Sequence, residues 1–477
     1  DIRLTFNEWV QLKDAPAQVV ISPPLVNNPE ITLKGKSVIY RFHEEEVLND
    51  NTTYTINFGS AIQDLTESNP AENVVFVFST GSFIDSLSVS GSVVNAETGK
   101  PEEGIYAILH HDLSDTAMAT RRPAYFARTS KDGQFRIDYI REDTFRVYAL
   151  RDANLNYLYD QESEMFAFAS DPVYVQPGVA PVVDLKASIA LPDPVVLIRE
   201  QRPAGVIKVA LSRPVDTLLL NAISGTLPPY WLVDEDTMRI WHRNADTAVL
   251  EVRSGSVALD TLSLYPYSGE TPPPVDIRVL ARAVHPEVPV VLLNRTPVAA
   301  VNPELVRVRI NDSTELDAFT FVRDSADARR ILLQGTWPAP GRYALTLLPG
   351  AVRDFYETEN DSSTFRITVQ DPATFGAIRL NISGLDPGMA YVLQLRDGQN
   401  VVRTRRLTQG REMYNIEYQR LPSKQYTLRL VEDRNQNGRW DPGDFATLSQ
   451  PERLLLRDLE PLRPGWDVDV TVTWNEE

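Results

Sequence analysis

Residues 52–59 read TTYTINFG, and the alternation places Tyr54, Ile56 and Phe58 on one side with Thr53, Thr55 and Asn57 on the other. This is the period-two pattern of a half-buried β-strand, closed by a glycine. Segments of the same kind surround it: IRLTFNEWV from residue 2, AQVVISPPL from 17, SVIYRF from 37 and NVVFVFSTG from 73. Short strands at this spacing, separated by turn residues, predict an antiparallel sandwich. The stretch between Gly59 and Asn73 reads as a connection.

The pattern continues along all 477 residues. A second block, 83–190, holds SLSVSGSVVNAETGKPEEGIYAILHH, then YFARTSKDGQFRIDYI, which reads as a hairpin turning at Lys131-Asp132-Gly133, then TFRVYAL and RDANLNYLYDQESE. LPDPVV at 191–196 is a stiff boundary, because each proline fixes φ and extends its predecessor. A module over 191–275 follows with VIKVALS, MRIWHR, AVLEVRS and TLSLYP. The run GETPPPVD at 269–276 reads as a linker, and further modules cover 276–369 and 370–477. The expected fold class is all-β, with tandem β-sandwich domains in an elongated array.

Two internal comparisons support repetition. YTINFGSAIQDLTESN (54–69) resembles YALTLLPGAVRDFYETEN (343–360), and FRVYALRDANLNYLYDQESE (145–164) resembles YTLRLVEDRNQNGRWDPGDF (426–445). Repeated β-modules point to spacing and presentation of surfaces.

Composition narrows the function classes. A net charge of −18 opposes nucleic-acid binding, which needs clustered Lys and Arg. The chain has no cysteine, so disulfides, thiolate zinc sites, thiol catalysis and iron–sulfur ligation are excluded. No apolar run approaches the roughly 18 residues that cross a bilayer.

The segments LTFNEWVQL, ISPPL, LNDNTTYTINFGSAIQDLTESN and FVFSTG resemble the bacterial Ig-like domain described from S-layer proteins, in the version found in Bacteroidota envelope lipoproteins. The resemblance covers residues 1–82 and, with fewer matching positions, 277–369. VSGSVVNAETGKPEEGIYAIL and TSKDGQFRI are similar to the transthyretin-like or carboxypeptidase-regulatory-like β-sandwich. The 370–477 block resembles it more distantly, without a clear Gly-x-Phe hairpin. These resemblances imply an extracytoplasmic protein associated with the outer membrane and anchored through a lipidated cysteine. That cysteine, with the first strand of the leading Ig-like domain, is then expected upstream of Asp1. The family supplies no catalytic motif.

The strongest chemical signal is EDRNQNGRWDPGDF, 432–445. Asp433, Asn435, Asn437, Asp441 and Asp444 stand at positions 1, 3, 5, 9 and 12 of an EF-hand-type loop, with Gly438 at position 6 and the Arg439 carbonyl at position 7. This is an oxygen-ligand spacing suited to Ca²⁺. Position 12 is Asp instead of the usual bidentate Glu, and the preceding YTLRLV reads as a strand, so the expected site is an EF-loop-like turn on a β-module. The competing reading is an Asx-rich turn held by its own side chains. A related loop carries Asp152, Asn154, Asn156 and Asp160 at positions 1, 3, 5 and 9. Tyr157 replaces the glycine there and Ser163 stands at 12, with Glu164 one residue beyond as a substitute ligand.

Other candidates are thin. G-x-S-x-G, P-loop, G-x-G-x-x-G and H-E-x-x-H patterns are absent from the sequence. The histidines are His43, His110, His111, His242 and His285; the adjacent pair points to opposite faces of a strand, which is poor metal geometry, and reads as surface or edge. Asp64 with Glu67, and Asp354 with Glu357, suit a helical turn or a capped crossover better than catalysis. Glu44, Glu45 and Glu46 read as solvated. The seven tryptophans are dispersed; in PPYWL, 228–232, a proline-flanked loop is expected to expose Tyr230 and Trp231.

The function expected from sequence is a non-enzymatic envelope scaffold, with structural Ca²⁺, docking on an outer-membrane β-barrel protein complex. The alternative is a surface carbohydrate-binding or adhesion protein using exposed aromatics.

Overall fold

The computed structural model describes residues 1–71, 74–202, 205–215, 217–234, 236–267, 273–311, 314–316 and 318–474. The structure is all-β: the described residues hold many short strands and two four-residue α-helices, Ala15–Gln18 and Ala117–Thr120. Among them no helix is long and apolar enough to cross a membrane. The chain forms two compact units, one of Asp1–Pro192 with Trp440–Leu454 and one of Asp193–Arg439 with Leu455–Glu477.

In the first unit, strands Ile2–Thr5, Ser37–Arg41 and Glu30–Lys34 form one sheet, and Val20–Ser22, Thr53–Asn57 and Val75–Ser79 another. Tyr54, Ile56 and Phe58 are all buried against Val38 and Tyr40, as the alternation requires. Each such burial contributes about 1.5–3 kcal/mol. The Gly59–Asn73 stretch differs from expectation, because Ile62–Asp64 is a strand paired with Val10–Leu12. Its run is too short and interrupted to show a period, and it is stabilised by the pairing partner and by burial of Ile62.

The block that follows is a seven-strand module with a short additional strand. Leu87–Asn95 lies between Gln134–Ile140, antiparallel, and Val182–Ile189, parallel. Tyr106–His110 lies between Tyr125–Arg128 and Asp143–Leu150, both antiparallel. Lys131-Asp132-Gly133 therefore joins strands with different partners, and the expected hairpin is a crossover arch. Its turn is closed by Ser130 N–H donating to the Gln134 carbonyl, while Val93 N–H donates to the Gly133 carbonyl. Gly91 is required for close approach: a Cβ there would stand 1.8 Å from the Val183 carbonyl oxygen.

In the second unit the same topology recurs. Phe375–Ser383 lies between Tyr414–Pro422, antiparallel, and Asp467–Thr473, parallel, while Ala390–Asp397 lies between Asn400–Leu407 and Thr427–Asp433. Both β-modules thus place a middle strand between one antiparallel and one parallel neighbour. The intervening 196–264 region packs Ile207, Met238, Ile240, Leu250 and Leu262 into a separate core, and 275–369 packs Val290, Leu292, Phe321, Leu333 and Leu345 into another. Residues 269–272 of the GETPPPVD run lie outside the described residues.

Two local expectations change. Tyr230 and Trp231 stand on strand Tyr230–Asp234, paired with Thr237–Trp241, not in a loop; strand alternation leaves Trp231 exposed. His110 is buried, not at the surface, because the strand Tyr106–His110 is buried along its whole length. Burial holds its imidazole down to about 4, with Asp112 opposing and His111 adding to the shift. The opposite-face reading stands: His110 packs on Tyr148, and His111 on Tyr125 and Phe145.

Candidate metal centre

The loop after strand Asp143–Leu150 lies within the first unit, and its Asp152, Asp160 and Glu164 carboxylates are spent on its own backbone and amide side chains. Asp152, 8 % exposed, accepts from Leu155 N–H at 2.7 Å and Asn156 N–H at 3.3 Å through Oδ1, and from Tyr157 N–H at 2.7 Å through Oδ2. Asn154 Oδ1 takes the Asn156 N–H and Asn156 Oδ1 the Leu158 N–H. The Asn154 and Asn156 amides donate to Asp160. Glu164, 2 % exposed, closes the loop: Oε1 accepts from Ala153 N–H at 2.9 Å, and Oε2 from Asp160 and Gln161 N–H at 3.2 and 3.3 Å. All five sequence candidates are brought into one hydrogen-bonded turn, which Glu164 closes through backbone N–H groups.

Tyr157 holds φ 64, a left-handed conformation that costs about 1–2 kcal/mol for a non-glycine residue. Its ring offsets that cost by packing edge-on to Tyr106, with centroids 5.6 Å apart, and against Phe126 at 4.9 Å. Burial, then the neighbouring Tyr106, pushes its phenol up to about 12.

The 433–444 stretch is divided: Asp433 to Arg439 belong to the second unit and Trp440 onward to the first. In the second unit, Asp433 ends strand Thr427–Asp433 and is 3 % exposed. Its Oδ2 accepts from Gly438 N–H at 2.9 Å, the counterpart of Asp152 with Tyr157. Asn435 Oδ1 takes the Asn437 N–H and Asn437 Oδ1 the Arg439 N–H, again as in the first loop. Gln436 and Gly438 hold positive φ, as do Leu155 and Tyr157. At Gly438 a Cβ would meet the Arg406 guanidinium at 2.2 Å, so a larger residue there would displace that exposed, flexible side chain.

One atom breaks the parallel. Asp433 Oδ1 is buried without a hydrogen-bond partner among the described residues, whereas Asp152 Oδ1 has two. A buried carboxylate oxygen left unpaired costs a few kcal/mol, and a cation is one group that removes that cost. The oxygen-rich set of Asp433, Asn435, Asn437 and the Arg439 carbonyl fits Ca²⁺ in chemistry. Among the described residues no three His, Cys, Asp or Glu side chains gather as a metal-holding group, so any such site draws on amide and backbone oxygens.

In the first unit, Asp441 and Asp444 part company. Asp444 commits both oxygens to its own turn, Oδ1 to Ala446 N–H and Oδ2 to the Thr447 hydroxyl. The residue that mirrors Glu164 is Glu452, 6 % exposed: its Oε2 accepts from Asp441 N–H at 3.0 Å, its own N–H donates to the Asp441 carbonyl, and its carbonyl accepts the Trp440 indole N–H. Sequence reading missed Glu452 because the intervening residues displace it from the loop spacing. Those residues pack elsewhere in the same unit, with Phe445 on Tyr159 and Phe166 and Gly443 N–H on the Ser188 hydroxyl.

The carboxylate pairs suggested by repetition are turn braces. Asp64 Oδ1 accepts from Thr66 and Glu67 N–H, and Asp354 Oδ1 from Tyr356 and Thr358 N–H. The Glu67 and Thr66 N–H groups hold the Asp64 carboxyl below the usual range, while burial raises that of Asp354. Glu46 takes Val26 and Asn27 N–H and is a loop anchor, not a solvated residue like Glu44 and Glu45. Trp9, Trp231 and Trp466 are exposed, whereas Trp241, Trp337 and Trp474 are buried.

Residues 1–80 match the family model of the bacterial Ig-like domain. No curated protein matches the chain. Among solved structures, the MG0-NIE-MG1 domains of Escherichia coli alpha-2-macroglobulin are 13% identical, covering 57% of this chain and 98% of that one, at a TM-score of 0.20. The Bacillus cereus major pilin BcpA is 10% identical over 83% of this chain and 100% of its own, at 0.14. An S-layer protein, SbsC, is 11% identical over 96% of this chain and 64% of its own, at 0.16. These scores lie well below that of a shared whole-chain arrangement.

Proposed function

We propose that this chain is a non-enzymatic cell-envelope protein whose β-modules present surfaces to an outer-membrane partner, in the manner of an accessory lipoprotein subunit of a β-barrel complex. The observation that carries the reading is the use made of its buried carboxylates. Glu164 spends both oxygens on backbone N–H groups of its own turn, Glu452 Oε2 takes the Asp441 N–H, and Asp354 divides its oxygens between backbone N–H groups and the Thr296 hydroxyl, which rigidifies these turns and leaves no activated base in them. The Ig-like match at 1–80 supports an envelope location. Affinity purification from a mild-detergent envelope extract is expected to recover an outer-membrane β-barrel protein that rebinds the purified chain; failure to rebind overturns the docking reading.

Within this reading Ca²⁺ is structural and is held at the 433 loop, with Asp433, Asn435, Asn437 and the Arg439 carbonyl as donors. The ion supplies neutralisation of the buried carboxylate and stabilises the folded loop by mass action, about 2.7 kcal/mol at a hundredfold excess over Kd. Chelation with EDTA is expected to lower the melting temperature, and Asp433→Ala to abolish that sensitivity. An unchanged melt on chelating calcium-loaded protein overturns it. The 152–164 loop, whose carboxylates are already satisfied, is expected to add nothing to the chelation effect.

The exposed rings of Trp9, Trp231 and Trp466 favour a second reading, capture of carbohydrate by a surface or adhesive protein. Specific glycan-array binding lost on substituting one of these tryptophans would replace docking with this activity.

A further inference from the structure

The chain is acidic overall, at −18, yet the second unit contains a cleft of about 750 Å³ whose charged lining is mainly cationic. Lys208, Arg239, Arg278, Arg295, Arg329 and Arg330 line it, against three acidic residues, Glu200, Asp234 and Asp276. Its volume falls in the range of small-molecule sites, roughly 300–1,000 Å³. Val206, Leu280 and Leu293 supply apolar wall, and the buried Trp241 lies beneath.

The cations differ in how they are held. Arg329 is fixed: it binds Asp327 through two nitrogens, at 3.1 and 3.0 Å, and stacks 5.8 Å from the Trp241 ring centroid. Arg330 shares Asp327 at 3.4 Å, and Arg239 reaches Asp234 at 3.8 Å. Arg278 and Arg295 make no ion pair with the described residues. Arg295 nevertheless has an anchored backbone, because its N–H donates to the Asp276 carbonyl while Asp276 N–H donates to the buried Asn294 side chain. Two exposed guanidiniums without an ion pair to the described residues, beside a rigid third, form an anion receptor, since guanidinium donors match carboxylate and phosphate oxygens.

We propose that this cleft binds a small multivalent organic anion, with Arg278 and Arg295 as the discriminating contacts and Arg329 as the fixed wall. The anion's oxygens bear either carboxylate or phosphate chemistry, and the apolar wall accommodates its carbon skeleton.

Isothermal titration calorimetry on the full chain, freed of calcium by EDTA and dialysis because both anions chelate it, with citrate and separately with pyrophosphate as probes and glycerol as the uncharged control, tests it. Saturable binding of at least one anion is expected, weakened roughly tenfold by Arg278→Gln or Arg295→Gln, as loss of a charge-assisted hydrogen bond implies. Both side chains are surface groups, so an unchanged melting temperature certifies the fold. Arg342→Gln, outside the cleft, should leave binding intact. Preference for one probe assigns the carboxylate or phosphate class. Absence of saturable binding by both anions, or equal affinity in wild type and both cleft variants, overturns the proposal.

Discussion

Glu164 offers the sharpest test of how the 152–164 loop is held. Its carboxylate is 2 % exposed and accepts three backbone N–H groups, from Ala153, Asp160 and Gln161. Hydrogen bonds to a charged group contribute about 1.5–3 kcal/mol each, and losses within one network are not additive. Removing the acceptor therefore predicts about 3–5 kcal/mol for Glu164→Ala. Glu164→Gln keeps one acceptor oxygen but turns an amide donor towards other N–H groups, so about half that loss is expected. A chain of several modules does not unfold in one step, so urea titration is paired with hydrogen exchange on a peptide spanning 151–164. The cost should be the same in calcium and in EDTA, because the loop is wired by its own side chains. A Glu164→Ala cost below about 1 kcal/mol, or one that disappears on chelation, refutes this reasoning.

Three further outcomes follow from buried groups. His110 has a folded-state value near 4 set chiefly by burial, below the unfolded value of about 6.5. Its neutral form is the folded one, so stability is full above pH 6.5 and declines as pH falls towards 4, by up to about 3 kcal/mol; His110→Phe should flatten that part of a stability–pH curve. Gly91→Ala places a Cβ 1.8 Å from the Val183 carbonyl oxygen and should cost at least about 3 kcal/mol, measured by urea unfolding of the first unit. Asp354→Asn keeps an acceptor for Tyr356 and Thr358 N–H and removes a buried charge but loses the acceptor for the Thr296 hydroxyl, so it should cost no more than about 1 kcal/mol at pH 7, whereas Asp354→Ala should cost about 2–4 kcal/mol in thermal melts.

The strands were legible where alternation ran long enough to show a period, as at Tyr54–Phe58, or where an apolar run stood between turn signals, as at Phe145–Leu150. Ile62–Asp64 was hidden because three residues show no period and its stability comes from a distant partner. The Lys131-Asp132-Gly133 turn was visible as a turn, but turn chemistry does not say which sheet the next strand enters. At the candidate site, Asp152, Asn154, Asn156 and the 433–437 repeat could be found from spacing, since each side chain acts on backbone two to five residues ahead. Glu452 was not legible, because its link to Asp441 is made through space after a displaced segment. Buried His110 escaped notice because a histidine at a strand end carries no sequence mark of its side chain's burial.

The first unit is discontinuous: Trp440–Leu454 completes it, although Asp1–Pro192 is made first. At translation speeds of about 5–20 residues per second, on the order of ten to fifty seconds separates Pro192 from Leu454. During that interval Tyr159 and Phe166 lack Phe445 as their covering ring. The nascent amino-terminal half therefore emerges with an open apolar seat, a target for holdase chaperones or for the same segment of a neighbouring chain. A chain truncated before Trp440 would leave that seat permanently unfilled and selectively exposed to proteolysis.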